Sequence, residues 1–346
     1  MNCRTWVSLL LLMPLVMAFS SDQASAVVKS DLENRVVIYS THPENMLAVI
    51  ADGFTEKTGV QVDFINLKGE LADRVRAEKK NPQADIMYGG PSSLYIDMAR
   101  EDVFEKTMTT WGKKLNPAYK DRDGLWYGVM LTPVVIFYNH QMLSADEAPK
   151  SWADLIDPEY KGKIISRDYV SSSQRAAVCA LLDYYSRSAS LEDGVDFLKK
   201  LDANTKNYYG SGSLHFQAIG KREAAISYGV LSAIIDNQVK NAMPLQVVDA
   251  EEGAIILTDA VAVIKNGPHP KAAAAFLEYA GSPEVQVILA HQFRRMPTIE
   301  GVLDRCPGWM QTPLKRMPVN WENISRHELD WLNMWDTQIR DAGRSL

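Results

Sequence analysis

The sequence predicts an α/β protein with two lobes, each a mainly parallel sheet with flanking helices, and two crossings between the lobes. Three observations support this prediction. Apolar strand segments alternate with amphipathic helical segments along most of the chain, a pattern typical of parallel sheets that are covered on both faces. The roughly 320 residues that follow the N-terminal leader exceed what a single core comfortably organises. Two of the apolar segments are long enough to run from one lobe into the other.

The first lobe is predicted from three successive β-α units. The strand segments RVVIYS, VQVDFINL and ADIMYGG are short, apolar and rich in β-branched or aromatic residues. Each precedes a stretch with helical periodicity, and the first of these helices ends at a glycine. The strands are expected at 35–40, 60–67 and 84–90, and the helices at 43–59, 70–80 and 91–101.

A second α/β set lies between the two crossing segments. The first crossing is VMLTPVVIFYN at 129–139, and the second is GAIILTDAVAVIKNG at 253–267, with Thr258 and Asp259 between its apolar ends. Because the chain crosses twice, lobe 1 is discontinuous and comprises 34–132 and 258–297, while lobe 2 comprises 133–257 and 298–346. The remaining elements are strands at 163–167, 206–210 and 224–229, helices after the serines at 171–173 and at 213–223, paired helices at 270–290 and a closing helix at 327–343.

Residues 1–26 have the pattern of a cleaved secretory signal peptide. Arg4 precedes an apolar run from Trp6 to Phe19, and a small-residue site follows at Ala24-Ser25-Ala26. No later run of about 18 apolar residues is present. We therefore expect the mature chain to be soluble and periplasmic.

The cysteine count and the net charge limit the classes of partner. Cys3 is lost with the leader, and Cys179 and Cys306 are too few for a disulfide framework. A disulfide bond between these two cysteines is one alternative, but two buried free thiols are favoured. The formal net charge of −6 argues against nucleic acid or lipid headgroups as partners.

Small, hydroxylic or glycine residues occupy four junctions between a strand end and the next helix. In parallel sheets, ligands bind beyond the carboxyl ends of strands, where helix N-termini offer unpaired N–H groups and partial positive charge. Small side chains let an anion reach the backbone, and hydroxyls supply further donors. Two junctions fall in each lobe, which predicts an anion site between the lobes. The residues are Ser40, Thr41 and His42; Gly89, Gly90, Ser92 and Ser93; Ser171, Ser172 and Ser173; and Ser211, Gly212 and Ser213.

Each junction taken alone is also consistent with a structural role, because serine and glycine are the ordinary residues of caps and turns. In YVSSSQ, we expect one serine to cap the helix that starts near Gln174 and the others to face a ligand. His42 fits a ligand donor and a turn residue equally, whereas His215, in a first helical turn, is expected to reach the cleft. Tyr127 and Tyr228 are candidate aromatic walls, with packing as the commoner role. Four arginines could also pair with an anion, although arginine side chains are ordinarily exposed to solvent. They are Arg167, Arg175, Arg294 and Arg295.

Six segments carry a resemblance to a known family. They are RVVIYSTHPENMLAVIADGFTEKTGVQV, ADIMYGGPSS, DGLWYGVMLTPVVIFYN, SWADLIDPEYKGKI, GKREAAISYG and TDAVAVIKNGPHPKAAAAFLEYAGSPEVQ. With them the whole mature chain resembles the type II periplasmic solute-binding proteins of ABC importers, a group that contains ferric-ion, sugar-phosphate and phosphonate binders and is similar to extracellular solute-binding protein family 1. The resemblance implies two lobes that close on one ligand about two hinge strands, and a monomer that works with an ABC permease of the inner membrane.

The resemblance narrows the ligand class in part. Iron binders of the group place two adjacent tyrosines after the strand that matches AAISYG, where this chain has Val230 and Leu231. The junction that matches 171–173 holds a small anion beside the metal in those proteins. GSGSLHFQ is similar to the sugar-phosphate binders, but Phe216 stands where they have aspartate, which counts against a hexose phosphate. An anionic organic solute with a phosphate, phosphonate or carboxylate group is therefore expected.

The predicted function is thus a solute receptor, without enzymatic activity or cofactor, that delivers its ligand to a membrane permease. One alternative keeps the binding role with Fe(III) as ligand. A second is a regulator that presents its ligand to a membrane sensor kinase. An enzyme is disfavoured because the chain contains no H-E-x-x-H, G-x-S-x-G or P-loop motif, and no base adjoins the serine-rich junction.

Overall fold

The computed structural model describes residues 31–67, 70–187 and 190–342 of the 346-residue chain. The expected signal peptide, residues 1–26, lies outside the described residues. Within them, strands and helices alternate to form an α/β structure with one connected sheet. No helix in these ranges is long and apolar enough to cross a membrane.

The first three β-α units form one parallel block. The strands pair in the order β2-β1-β3, each followed by a helix, and α1 ends at Gly59 in the left-handed conformation. These elements confirm the predicted ones to within three residues at each end. The bounds are β1 Arg35–Ser40, α1 Glu44–Thr58, β2 Gln61–Asn66, α2 Leu71–Ala77, β3 Ile86–Pro91 and α3 Ser92–Arg100.

Two long antiparallel strands, β4 (Tyr127–Asn139) and β9 (Ile255–Val263), cross the middle of the molecule. β3 pairs with the C-terminal half of β9, and β7 (Ile226–Val230) pairs with the C-terminal half of β4. The two predicted crossings are confirmed. Hydrogen bonding is nevertheless continuous, in the order β2-β1-β3-β9-β4-β7-β5-β6, so the two lobes share one sheet through their hinge strands.

The second block repeats the parallel arrangement on the other side of the hinge. β5 pairs in parallel with both β6 and β7. Three of its elements, α5, α7 and β8, were not predicted from the sequence, although in α5 Val195, Leu198 and Leu201 recur at helical spacing and are buried. The bounds are β5 Ile164–Arg167, α4 Ser172–Ser186, α5 Leu191–Asn204, β6 Thr205–Tyr209, α6 Gly212–Gly220, α7 Leu231–Asn241 and β8 Leu245–Val247.

The C-terminal region returns to the hinge and then runs along both lobes. The paired helices α8 (Pro270–Ala280) and α9 (Pro283–Phe293) confirm the predicted break. β10 (Met296–Pro297) pairs with β4 at the hinge, and α10 covers Gly308–Gln311. The closing helix, α11 (Trp321–Met334), begins six residues before its predicted start because the Asn320 side chain accepts a hydrogen bond from the Asn323 N–H. It continues as a π-helical turn at Trp335–Ile339.

Both mature cysteines are buried free thiols, which confirms the favoured prediction. Cys179 packs in a core with Trp152, Tyr228 and Trp335, whereas Cys306 packs in another core with Phe54 and Phe276. Burial raises the pKa of the Cys179 thiol, so this side chain behaves as a small apolar residue.

Candidate functional site

The strand ends of the two blocks converge on the hinge. β3 ends at Pro91, opposite Asp259, and β7 ends at Val230, opposite Val134. Met130 of β4 faces Asp259, so both strand ends meet the same short stretch of β4. The junctions after β1 and β3 therefore approach the hinge from one lobe, and those after β5 and β6 approach it from the other.

In the lobe 1 half, the turn after β1 is held by its own serine. The Ser40 hydroxyl donates to the carbonyl of Tyr88 at 2.8 Å and accepts from the His42 N–H at 3.1 Å. Ser40 is fully buried, so both contacts serve to fix the turn. Thr41 is half-buried beside Gly89.

His42 is buried, and its imidazole packs edge-on against Tyr88 with the ring centroids 5.2 Å apart. Its Nε2 has no hydrogen-bond partner in the described part of the chain, and neither has the Tyr88 hydroxyl. Burial, and next the charge of Arg295, lower the pKa of His42 from 6.5 to about 3. The imidazole is therefore neutral at neutral pH, and Nε2 can accept or donate one hydrogen bond.

The turn after β3 needs its two glycines. Gly89 and Gly90 have φ values of +98° and +95°, and a Cβ on Gly89 would lie 2.6 Å from His42 Nε2. The Gly90 N–H donates to the Asp259 carboxylate, which also accepts from the Thr132 hydroxyl at 2.9 Å. Burial raises the pKa of Asp259, and Arg295, Thr132 and Gly90 oppose that shift. Ser92 and Ser93 begin α3 and are buried.

In the lobe 2 half, the three serines begin α4, but the predicted capping bond is wrong. Ser171 is the N-cap residue, yet its hydroxyl lies 3.1 Å from the hydroxyl of Ser173 and accepts no N–H of the first turn. Ser172 is exposed, and the other two serines are half-buried. The first-turn N–H groups of α4 are therefore without a side-chain cap.

Beneath this helix start, three buried polar groups converge, and none of them has a hydrogen bond of normal geometry among the described residues. They are the hydroxyl of Ser166 at the end of β5, Nε2 of Gln174 in the first turn of α4 and the hydroxyl of Tyr228 near the end of β7. Burial raises the pKa of Tyr228, and loose hydrogen bonding from Ser166 and Gln174 lowers it, so the three groups lie side by side and contact one another. Tyr228 also packs against Trp152, with centroids 5.6 Å apart. The sequence identified Tyr228 only.

His215 is predicted from the sequence to reach the cleft, but in the structure its imidazole is buried against β7. It is buried in α6, with Nε2 2.6 Å from the Ser227 hydroxyl of β7, whereas Ser211 and Ser213 at the same helix start are exposed. Arg167 lies over this helix start and donates to the carbonyls of Tyr209 and Gly210. Burial, and next Arg167, lower the pKa of His215 from 6.5 to about 4.

Tyr127 is not brought to the other predicted site residues. Its hydroxyl donates to the carbonyl of Thr107 at 2.9 Å, and its ring packs against Trp111 at 5.3 Å between centroids. We therefore assign Tyr127 to the core of lobe 1 rather than to the site.

A residue missed by sequence reasoning joins the two lobes near the junctions. Glu328 of α11 bonds to Ser93 at the start of α3 and lies near Arg175 in the first turn of α4. Burial, the largest effect, raises the pKa of Glu328, and Arg175 opposes it. At the other end of α11, Glu322 pairs with Arg100 of α3 at 2.5 Å. α11 thus packs along helices of both lobes.

Acid is expected to destabilise the protein through its buried histidines. Because the pKa of His215 is lower in the folded chain than the value of 6.5 expected on unfolding, the unfolded chain binds the extra proton between about pH 6.5 and 4, and stability falls as the pH is lowered through that range. At about pH 5 the loss from His215 amounts to roughly 2 kcal/mol. Urea unfolding of the wild type and His215→Gln between pH 7 and 5 should give a shallower pH slope for the variant. Parallel slopes would contradict the prediction.

Comparison with known proteins gives a consistent family signal. A family model described as bacterial extracellular solute-binding protein matches residues 81–325. A probable ABC transporter periplasmic-binding protein, y4fP, of Sinorhizobium fredii is 26% identical over 339 residues, which cover 94% of this chain and 92% of the relative. A putative 2-aminoethylphosphonate-binding periplasmic protein of Salmonella typhimurium is 24% identical and covers 90% of this chain and 98% of its own length.

The same fold occurs in solved structures. Apo ferric ion-binding protein A of Pasteurella haemolytica superposes with a TM-score of 0.77 at 22% sequence identity, covering 88% of this chain and 97% of the other. At that identity the likeness concerns the fold, and it agrees with two lobes joined by crossing strands.

Proposed function

Because this chain belongs to the bacterial extracellular solute-binding protein family, we propose that it is the periplasmic receptor of an ABC importer and binds an anionic organic solute between its lobes. The relatives are binding components of transporters rather than enzymes, and we propose the same non-enzymatic role here. The inner-membrane permease is then the macromolecular partner, and the receptor acts as a monomer without a cofactor.

The observation that carries the choice of ligand class is the set of buried donors below the start of α4. Ser166, Gln174 and Tyr228 are buried and contact one another only loosely, and a buried donor without a good acceptor costs about 1–3 kcal/mol. They adjoin a helix N-terminus that has no side-chain cap. Donors and a helix N-terminus together favour the oxygen atoms of a phosphate, phosphonate or carboxylate.

Fe(III) is the less favoured cargo for this chain. The chain has adjacent tyrosines at 184–185 and 208–209, and one member of each pair bonds to a carboxylate. Tyr185 donates to Glu252 at 2.6 Å and Tyr208 donates to Asp202 at 2.8 Å. Among residues 31–67, 70–187 and 190–342, no three His, Cys, Asp or Glu side chains gather, so an iron site there would have to use tyrosine oxygens as well. Fe(III) is less favoured because the chain has Val230 and Leu231 where the iron binders place their adjacent tyrosines.

Closure about β4 and β9 is the proposed mechanism of capture. Lobe 1, at 34–132 and 258–297, contributes the turns after β1 and β3, and lobe 2, at 133–257 and 298–346, contributes the starts of α4 and α6. A solute that contacts both halves stabilises the closed form in proportion to its differential affinity. The permease would recognise the closed form. The alternative is that a membrane sensor kinase recognises it.

We expect a thermal-shift screen of the mature protein to identify the solute. A ligand at about 100 times its dissociation constant adds roughly 2.7 kcal/mol of stability. The panel contains phosphate esters, phosphonates, dicarboxylates and ferric citrate. Ser172→Ala combined with Ser173→Ala should weaken binding of the positive compound by about 10- to 100-fold, because two donors to a charged group are lost.

Ser190→Ala is the control, since Ser190 also lies at a helix start, that of α5, but outside the junctions. Binding to this variant should equal that of the wild type. A response to ferric citrate alone, with a tyrosinate colour, would contradict the anionic-solute proposal.

A further inference from the structure

Arg295 is fixed at the hinge by its backbone. It follows Arg294, which ends α9 in the left-handed conformation, and its own N–H donates to the carbonyl of Leu289 at 3.2 Å. The next residue, Met296, pairs with Leu131 of β4. The Arg295 side chain therefore starts from a rigid position beside the crossing strands.

The two neighbouring arginines differ in how their charges are used. Arg294 pairs with Asp236 of α7 at 2.6 Å. Arg295 forms no ion pair within 4.0 Å in the described part of the chain, and its Nε is buried without a hydrogen-bond partner. The side chain is half-buried, so this guanidinium has lost much of its water without gaining a carboxylate.

The surroundings of Arg295 are the lobe 1 junctions. Its charge acts on His42, Tyr88 and Asp259. His42 Nε2 and the Tyr88 hydroxyl are also buried and have no hydrogen-bond partner among the described residues, so a second cluster of polar groups lies on the lobe 1 side of the hinge.

Asp259 is an acidic group beside this cluster, and its carboxylate already accepts two hydrogen bonds. It accepts from the Thr132 hydroxyl at 2.9 Å and from the Gly90 N–H. These bonds hold Asp259 against the two hinge strands and the turn after β3. What Arg295 and Tyr88 still require is therefore an acceptor from outside the chain.

We propose that Arg295 binds an oxygen anion of the solute from the lobe 1 side, so that the solute carries acidic groups at both ends, one for each lobe. The inference rests on the proposed function and specifies its substrate class: a phosphonate or phosphate joined by a short linker to a carboxylate or a second oxyanion. A solute with an ammonium group at the second end would meet the Arg295 charge and bind more weakly.

Two probes that differ at one end test this inference by titration calorimetry. 3-Phosphonopropionate carries a carboxylate where 2-aminoethylphosphonate carries an ammonium. The mature wild-type protein is expected to bind 3-phosphonopropionate at least about 10-fold more tightly. Arg295→Gln should weaken that binding by about 30-fold and abolish the preference, because a bidentate charged contact is lost.

Arg294→Gln is the matched control, since it removes the adjacent guanidinium and its bond to Asp236 but leaves the site intact, and it should bind within about threefold of the wild type. Arg295→Lys keeps the positive charge but loses the planar pair of N–H donors, so it should bind 3-phosphonopropionate with intermediate affinity. This variant replaces Arg295→Gln in the test if Arg295→Gln does not fold. Circular dichroism establishes folding for each variant.

Equal binding of 3-phosphonopropionate by Arg295→Gln and the wild type would overturn the inference. So would a preference of the wild type for 2-aminoethylphosphonate, or no binding of either probe at about 10 mM, a concentration that detects millimolar affinity. If another anion from the solute screen binds through Ser172 and Ser173 without regard to Arg295, the proposed function stands and only the assignment of Arg295 fails.

Discussion

Replacing Asp85 with alanine is expected to destabilise the folded protein by about 3–5 kcal/mol, because the variant leaves a set of buried donors without their acceptor. Asp85 is fully buried and precedes β3. Its carboxylate accepts from the Val37 N–H of β1 at 2.7 Å, from the His269 N–H at 2.6 Å and from the His269 ring at 2.8 Å. One side chain thus joins β1, β3 and the start of α8.

Urea denaturation monitored by circular dichroism measures the loss for Asp85→Ala. Glu300→Ala is the comparison, since Glu300 pairs with Arg316 at 3.0 Å on the surface and should cost less than about 1 kcal/mol. Similar losses for the two variants would show that burial of the Asp85 network contributes nothing beyond an ordinary ion pair. A sizeable difference would identify this carboxylate as the group that holds lobe 1 together.

The order of elements was predictable because local patterns and tertiary packing agree. The strand at 35–40 was predicted without error, and both crossings were visible as apolar runs too long for one lobe. The missed α5 and the early start of α11 have a different cause. Their apolar residues are diluted by charged ones, so the signals that remain are helical spacing and an N-cap at Asn320.

The site was predictable only as a set of junctions. Small residues after strand ends indicate where helix N-termini lie, but not which hydroxyls are free. The Ser40 hydroxyl bonds within its own turn and His215 bonds inward to Ser227, whereas Ser166 and Gln174 have only loose contacts with Tyr228 among the described residues. These differences depend on side-chain directions fixed by packing between distant segments, and sequence periodicity carries no information about them.

Contacts at the hinge strands connect the proposed binding site to the proposed closure of the lobes. Asp259 binds both Thr132 of the other crossing strand and the Gly90 N–H, so the turn after β3 is tied to the hinge. A solute seated at this turn would also touch the strands about which the lobes move. Binding and closure would therefore be coupled through one contiguous set of contacts, which the glycines of that turn make possible.

Gly89→Ala is expected to be far more damaging than Gly90→Ala, although both residues have nearly the same positive φ. Each substitution lowers the free energy of unfolding by about 1–2 kcal/mol, because it places a side chain on a residue with positive φ. At Gly89 the new Cβ would also lie 2.6 Å from His42 Nε2 and 2.7 Å from Thr41 Oγ1, whereas at Gly90 the nearest atom is Leu94 Cδ2 at 3.7 Å. Overpacking adds about 1–3 kcal/mol at Gly89 alone.

Thermal unfolding of the two variants measures this difference, and His42 provides a second reading that needs no ligand. If the Gly89 contact keeps His42 buried, its displacement in Gly89→Ala should raise the NMR titration midpoint of His42 from about 3 towards 6.5, while Gly90→Ala leaves it unchanged. Equal stabilities, or an unmoved His42 in both variants, would contradict the prediction. The expected result means that Gly89 is required because only a residue without a Cβ lets the turns after β1 and β3 contact each other. Asparagine tolerates a positive φ but has a Cβ, so asparagine at position 89 would not restore the site.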